Sequence, residues 1–258
     1  MEVRRDWTDG LSAPRFQQPG RLQRHGFKSY SQTDEDGIIA EILRRLGAGV
    51  PRRFVEFGVE NGLECNTLRL LLQGWNGLWI EGAQTHCTEI DTRFPQYLSD
   101  RTLVLEQAMV TRGNIDKLLA ANKVEGEIGV LSIDIDGNDL WVWQAIEAVR
   151  PAVVVIEYNA AWTPPLSVVQ EYREDRSWDG SNYFGASLEA LTRVGNQKGF
   201  NLVGCSYSGV NAFFVRAELA GALFHGPYTA EEHYEPARYW LRFLRSGHQP
   251  GMGPLVTV

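Results

Sequence analysis

The sequence predicts an α/β protein: a doubly wound, mostly parallel sheet of seven strands whose last strand runs antiparallel. Three observations predict it. The β-prone run Arg53–Phe57 leads into a turn holding Gly58 and Gly62 and then into an amphipathic stretch from Leu63 to Leu72, which reads as strand, tight turn and helix. The run Pro151–Asn159 is unbroken and rich in β-branched residues, the mark of a strand buried on both faces. Phe200–Tyr207 and Asn211–Arg216 flank Ser208-Gly209-Val210 as a hairpin, so one strand must oppose its neighbours.

A chain of 258 residues suits one large domain. Its 43% hydrophobic and 22% charged content is that of a globular protein with a full core. A net charge of −7 argues against a nucleic acid partner, because phosphate neutralisation needs a basic face. Cys65, Cys87 and Cys205 are scattered, which fits buried thiols in a reducing compartment and neither a zinc site nor a disulfide framework. With no apolar signal core near Met1 and no run of about 18 apolar residues, the expectation is a cytoplasmic protein without a membrane segment.

Residues 1–28, rich in Arg, Gln, Pro and Gly, read as an N-terminal arm that Trp7 and Phe16 could pin to a single domain spanning 29–258. Ser31 or Thr33 is the expected N-cap of a helix carrying Ile38, Ile39, Ile42, Leu43 and Leu46, and these polar residues also stand just before the first strand, where a ligand could reach them. Strands follow at Gly77–Gly82, Thr102–Met109 and Ile128–Asp136, with helices at Asn114–Asn122, Leu140–Ile146 and from Gly185 to near Gly199. The aromatic-rich segment 160–184 is too long for a simple connection and reads as an acceptor-side lid. In the C-terminal extension 226–258, Glu231–Arg245 reads as a helix open to three uses: closing over the site, a homo-oligomer contact, or plain packing.

The chemistry gathers at strand ends. Ligands of open α/β sheets bind outside the carboxyl ends of the strands, and here those ends carry Glu56, Glu81, Asp134 with Asp136, and Glu157 with Asn159. The first loop reads Glu-x-Gly-x-x-x-Gly, not the phosphate-binding Gly-x-Gly-x-x-Gly, and its carboxylate repels a pyrophosphate but suits a cation. S-adenosylmethionine, with its sulfonium and ammonium groups, is the guest that fits. Glu81, about 25 residues beyond Glu56, stands at the spacing of a ribose-binding acid, and Gln107–Met109 would lie beside an adenine. Asp134 and Asp136, expected on one side of a strand end, repel each other unless a cation, proton or hydrogen bonds intervene; Asp139 or Asn138 could instead open the next helix. Acids and an amide from adjacent strands form an oxygen-rich site that suits Mg²⁺.

Tyr30-Ser31-Gln32 to Asp36, Phe54-Val55-Glu56-Phe57-Gly58-Val59, Ser132-Ile133-Asp134-Ile135-Asp136-Gly137-Asn138-Asp139 and Val155-Ile156-Glu157-Tyr158-Asn159 together resemble the FkbM-type and related class I S-adenosylmethionine-dependent O-methyltransferases, over about residues 28–217. The resemblance implies the Rossmann-like class I methyltransferase fold and methyl transfer to a hydroxyl of a small molecule, such as a sugar or a polyketide natural product. By position it implies Asp136, Glu157 and Asn159 as Mg²⁺ ligands; where related sugar methyltransferases have paired acids after strand five, this chain has Glu157-Tyr158-Asn159. It leaves Ser31, Gln32, Glu56, Gly58, Gly62, Glu81, Ala108 and Asp134 for the cofactor and Asp136 and Asp139 for catalysis, Asp139 as the base. Two other readings stand beside it: a nicotinamide-dependent oxidoreductase, disfavoured by the missing third glycine, and a catalytically silent cofactor-binding scaffold.

Overall fold

Phe54, Val55, Glu56 and Phe57 are all buried, and they form the second to fifth residues of β1 (Arg53–Phe57), the strand around which the molecule divides. A computed structural model describes residues 7, 9–242 and 247–258. On one side β1 pairs in parallel with β2 (Asn76–Glu81), which pairs with β3 (Leu103–Gln107). On the other side β1 pairs in parallel with β4 (Gly126–Ile133), and β4 with β5 (Val149–Glu157). Beyond them β8 (Asn211–Arg216) runs antiparallel to both β5 and β7 (Phe200–Cys205), giving a seven-stranded sheet of order β3-β2-β1-β4-β5-β8-β7. The antiparallel seventh strand expected from the hairpin is present. Because the chain leaves β1 in one direction for β2 and returns to its other side for β4, a crevice opens between the carboxyl ends of those two strands.

Side-chain alternation builds a core on each face. Val55, Phe57, Ile80, Leu131 and Ile133 point to a layer that holds α5 (Ile115–Ala121), α6 (Asp139–Ala145) and α7 (Leu188–Gln197). Phe54, Trp79, Val130, Val153 and Phe213 point to the layer of α1 (Glu35–Leu46), α2 (Leu68–Leu72) and α3 (Gln84–Arg93). Further short helices are α4 (Pro95–Ser99), α8 (Ala217–Ala220) and α9 (Ala230–His233). The arm lies on the domain: Trp7 and Phe16 meet the Tyr207 ring edge-on at 5.3 and 5.4 Å. A separate ribbon pairs β6 (Val168–Gln170) with β9 (Leu255–Thr257), tying segment 160–184 to the C-terminal extension. Among the described residues no helix is long and apolar enough to cross a membrane, and all three cysteines are buried and free.

Several boundaries differ from expectation for definite reasons. The expected helix over Leu63–Leu72 begins only at Leu68, because the Glu56 carboxylate takes the Asn66 and Thr67 amides and fixes the helix start there. β4 ends at Ile133 and not at Asp136, since the Asp139 carboxylate captures the backbone of the next turn. The expected helix over Glu231–Arg245 is reduced to α9 and a 3₁₀ turn at Tyr239–Arg242, because Pro236 has no amide hydrogen and bars helix continuation; residues 243–246 lie outside the described residues. The N-cap position of α1 is held by Asp34 and not by Ser31 or Thr33.

Candidate functional site

A cavity of about 490 Å³ fills the crevice at the carboxyl ends of β1, β2, β4 and β5, within the size range of small-molecule sites. Gly58, with φ +72°, turns the chain out of β1 so closely against β4 that a Cβ on it would stand 1.7 Å from the Asp134 carbonyl oxygen. Only glycine fits there, and the reason is as much this contact as any ligand. Gly62, with φ +76°, faces the Trp79 ring, 2.7 Å from where its Cβ would be.

Glu81 closes one end of the cavity. Its Oε2 accepts from the Glu60 amide at 2.9 Å and its Oε1 from the Ala83 amide at 2.8 Å, while His86 Nδ1 lies 3.4 Å from Oε1. Backbone donors therefore fix the carboxylate and still leave it lone pairs toward the cavity. Ala108, Met109 and Val110 from the loop after β3 form the adjacent wall.

At the floor stand Asp134, Asp136 and Glu157, each offering a carboxylate oxygen within 4.8 Å of the others. Burial, then the charges of Asp136 and Asp139, push the Asp134 carboxyl well above the usual range. Asp136 is raised by burial and by Glu60 and Glu81. Three acids this close favour a proton or a cation among them, and an all-oxygen donor set fits a hard divalent ion. Asp136 reaches the cluster from a strained turn, with φ +56° at Asp136 and +143° at Gly137. Asp139 holds that turn: it is 1% exposed and accepts from the Ile135 and Gly137 amides at 2.9 and 2.8 Å. Burial moves its carboxyl up to about 6.

Segment 160–184 and the C-terminal extension cover the opening with Glu174, Arg176, Ser177, Trp178, Phe184, Tyr239 and His248. The segment is tied down at three points. Trp141 Nε1 donates to the Gln170 carbonyl, Asn138 Nδ2 to the Arg173 carbonyl, and Asn159 Nδ2 to the carbonyls of Asn182 and Phe184.

Of the residues singled out in the sequence, Gln32, Gly58, Glu81, Ala108, Asp134, Asp136 and Glu157 line the cavity together. Ser31, Glu56, Gly62, Asp139 and Asn159 stand outside the lining, each engaged elsewhere. Ser31 Oγ donates to Asp36 Oδ2, which also gathers the amides of Ser29, Tyr30 and Ser31. Glu56 is 2% exposed and accepts from the Asn66 and Thr67 amides, Thr67 Oγ1 and Ser132 Oγ, so it caps α2 and does not face a cofactor. Asn159 spends its Nδ2 on the carbonyls of the lid and accepts at Oδ1 from the Ala161 amide, while Asp134 stands beside Asp136 and Glu157 in the cavity. Asp139 is a backbone clamp and not a base facing the cavity. The sequence reading missed Glu60, Glu64, His86, Arg176 and His248; Tyr239 comes from the Glu231–Arg245 stretch for which closing over the site was one of three uses, and only His86, five residues after Glu81, carried a local signal.

Behind Gln32, Asp34 accepts from the Tyr207 amide at 2.8 Å and from Thr33 Oγ1, fully buried. Burial and the neighbouring Glu35 charge push it from 3.8 up to about 7. The folded protein thus holds this proton more tightly than the unfolded chain, so the contribution of Asp34 to stability falls as pH rises from about 4 through 7. Urea unfolding of wild type and Asp34→Asn at several pH values should show the wild type losing ground to the variant between about pH 4 and 7, with the gap levelling off above that. A difference constant with pH would mean that Asp34 is ionised throughout.

The fold and the site define a class: an open, doubly wound sheet carrying an acid-walled ligand cavity at its switch point. No family model matches the sequence, and no curated protein does. Among solved structures the chain is similar to the N-terminal domain of EvdMO1 with SAH bound (14% identity, 83% of this chain and 95% of that chain, TM-score 0.44). It is also similar to the glycopeptide N-methyltransferase MtfA complexed with S-adenosylmethionine (14%, 69% and 92%, 0.41) and to an O-methyltransferase from Bacillus cereus in complex with SAH (16%, 62% and 67%, 0.38). At such identities and scores these likenesses add nothing to what the residues themselves say.

Proposed function

We propose that the protein is an S-adenosylmethionine-dependent O-methyltransferase of the FkbM type, acting on a hydroxyl of a small molecule such as a sugar or a polyketide natural product, with Mg²⁺ assistance. One observation carries the reading: the crevice at the β1/β4 switch point is lined by Glu81 at the end of β2 and by the cluster Asp134, Asp136 and Glu157 at the ends of β4 and β5. That acidic lining repels a dinucleotide's pyrophosphate and suits a ligand that carries a diol and positive charge.

In this reading Glu81 accepts hydrogen bonds from the ribose hydroxyls, Ala108 flanks the adenine, and the Gly58 turn gives the cofactor close access to the backbone. Gln32 and Asp134 face its methionine end, and Asp134 sheds its raised proton preference when an ammonium stands beside it. S-adenosylmethionine supplies the sulfonium methyl and departs as S-adenosylhomocysteine. Asp136 and Glu157, with Asp134 as neighbour, would hold Mg²⁺, which lowers the pKa of an acceptor hydroxyl. In this reading the Asp136 carboxylate takes the hydroxyl proton as general base. Segment 160–184 is the lid over the acceptor side, where it excludes water and orients the hydroxyl for in-line attack.

Calorimetric titration of S-adenosylhomocysteine, with and without Mg²⁺, tests this. Binding near micromolar is expected, tighter with the cation. No heat from S-adenosylhomocysteine and a response to NAD would overturn it in favour of an oxidoreductase. Full methyl transfer after exhaustive chelation would remove the metal alone.

A further inference from the structure

Among the described residues Arg176 is the only lysine or arginine in the cavity lining. A guanidinium keeps its charge under all ordinary conditions, and half-burying one without a counterion is costly. Its neighbour on the lid, Arg173, is paired with Asp175 at 3.6 Å. Arg176 has its Nε buried with no hydrogen-bond partner, although its charge acts on the exposed Asp179 and carboxylates line the same cavity. Its side chain is nonetheless held in place. The stem lies over Gly137, with Cδ and Cγ 3.4 and 3.7 Å from where a Cβ on that glycine would stand, and the guanidinium carbon is 5.7 Å from the Tyr183 ring centroid. The absence of a side chain at Gly137 is what lets the arginine approach the floor of the site.

Two further polar atoms await partners at the same junction. Asn138, 6% exposed and on the cavity wall, has a buried Oδ1 without a donor, and so does Gln170 at Oε1, 2.9 Å from the same point beside Gly137. The lid therefore meets the β4 turn with a cation whose buried Nε has no acceptor, beside neutral acceptors that have no donor. A molecule that satisfies both kinds carries an anionic group and hydroxyls together.

We infer that the acceptor is a hydroxylated anion, a carboxylate or phosphate ester, and that Arg176 seats its charged group while Asn138 receives one of its hydroxyls. This rests on the methyltransferase reading, which it deepens by naming the acceptor's charge. Arg176 is a specificity residue: it seats the anionic group where the lid meets the β4 turn and offsets there the repulsion of the floor acids.

The test is titration of glucuronate, glucose 6-phosphate and glucose into the full-length protein saturated with S-adenosylhomocysteine, in metal-free buffer. At least one anionic probe should bind about tenfold or more tightly than glucose, and which one does separates carboxylate from phosphate. Arg176→Gln should remove that preference without changing affinity for glucose or S-adenosylhomocysteine, while Arg176→Lys keeps part of it, as loss of the planar fork predicts. Equal binding of all three probes, no binding of either anion, or a preference that survives Arg176→Gln would overturn the inference. Failure of the wild type to bind S-adenosylhomocysteine at the outset would instead sink the underlying methyltransferase reading.

Discussion

Gly58→Ala is expected to destabilise the protein by roughly 2–5 kcal/mol, the sum of an unfavourable left-handed backbone for a residue with a Cβ and of overpacking in a closed interior. The added methyl would sit 1.7 Å from the Asp134 carbonyl oxygen, at φ +72°. Since that oxygen belongs to backbone, relief requires the β1 and β4 loops to part. Urea unfolding should show the loss directly, and S-adenosylhomocysteine affinity should fall with it because both loops line the cavity. Gly62→Ala is the control: its Cβ meets the Trp79 ring at 2.7 Å, outside the cavity lining, so it should cost stability with less effect on ligand affinity. A Gly58→Ala protein as stable as wild type would show that the two loops do not touch as described.

Asp136→Ala is expected to lower methyl transfer by about a hundredfold or more, the range of a lost general base, while S-adenosylhomocysteine affinity stays within a few-fold. Asp136 belongs to the acid cluster with Asp134 and Glu157, whereas the Glu81 carboxylate is held by the Glu60 and Ala83 amides. Asp139→Ala should behave differently. It frees the amides of Ile135 and Gly137 from their acceptor, so stability and turnover should decline together, and unfolding measured beside activity distinguishes the two substitutions. Intact turnover in Asp136→Ala would show that the acid cluster is not where the reaction occurs.

Much of this was legible in the chain because the sheet writes itself in local patterns. β-branched and aromatic runs give the strands, the hairpin glycine gives the reversal, and the acids at strand ends converge because parallel strands deliver their carboxyl ends to one side. What could not be read was the orientation of individual polar side chains. Glu56 and Asn159 belong to the expected strand ends and Asp139 opens the expected helix, yet each turns to satisfy backbone groups that only the tertiary structure creates: the start of α2, the lid carbonyls, and the turn at Gly137. Segment 160–184 was expected over the site and the C-terminal extension was open to that use, but which of their side chains arrive was not legible. Arg176, Tyr239 and His248 reach the cavity from stretches whose path is set by long-range contacts such as the β6–β9 ribbon.

The close approach of Gly58 to the Asp134 carbonyl also joins two binding events mechanically. The turn beside the proposed cofactor and the turn bearing the acid cluster share one backbone contact, so neither moves alone. Linkage is then reciprocal: whatever factor cofactor occupancy contributes to cation affinity, the cation returns to the cofactor. Order of addition would leave the equilibrium unchanged, and either partner at saturating concentration would serve as the other's effector.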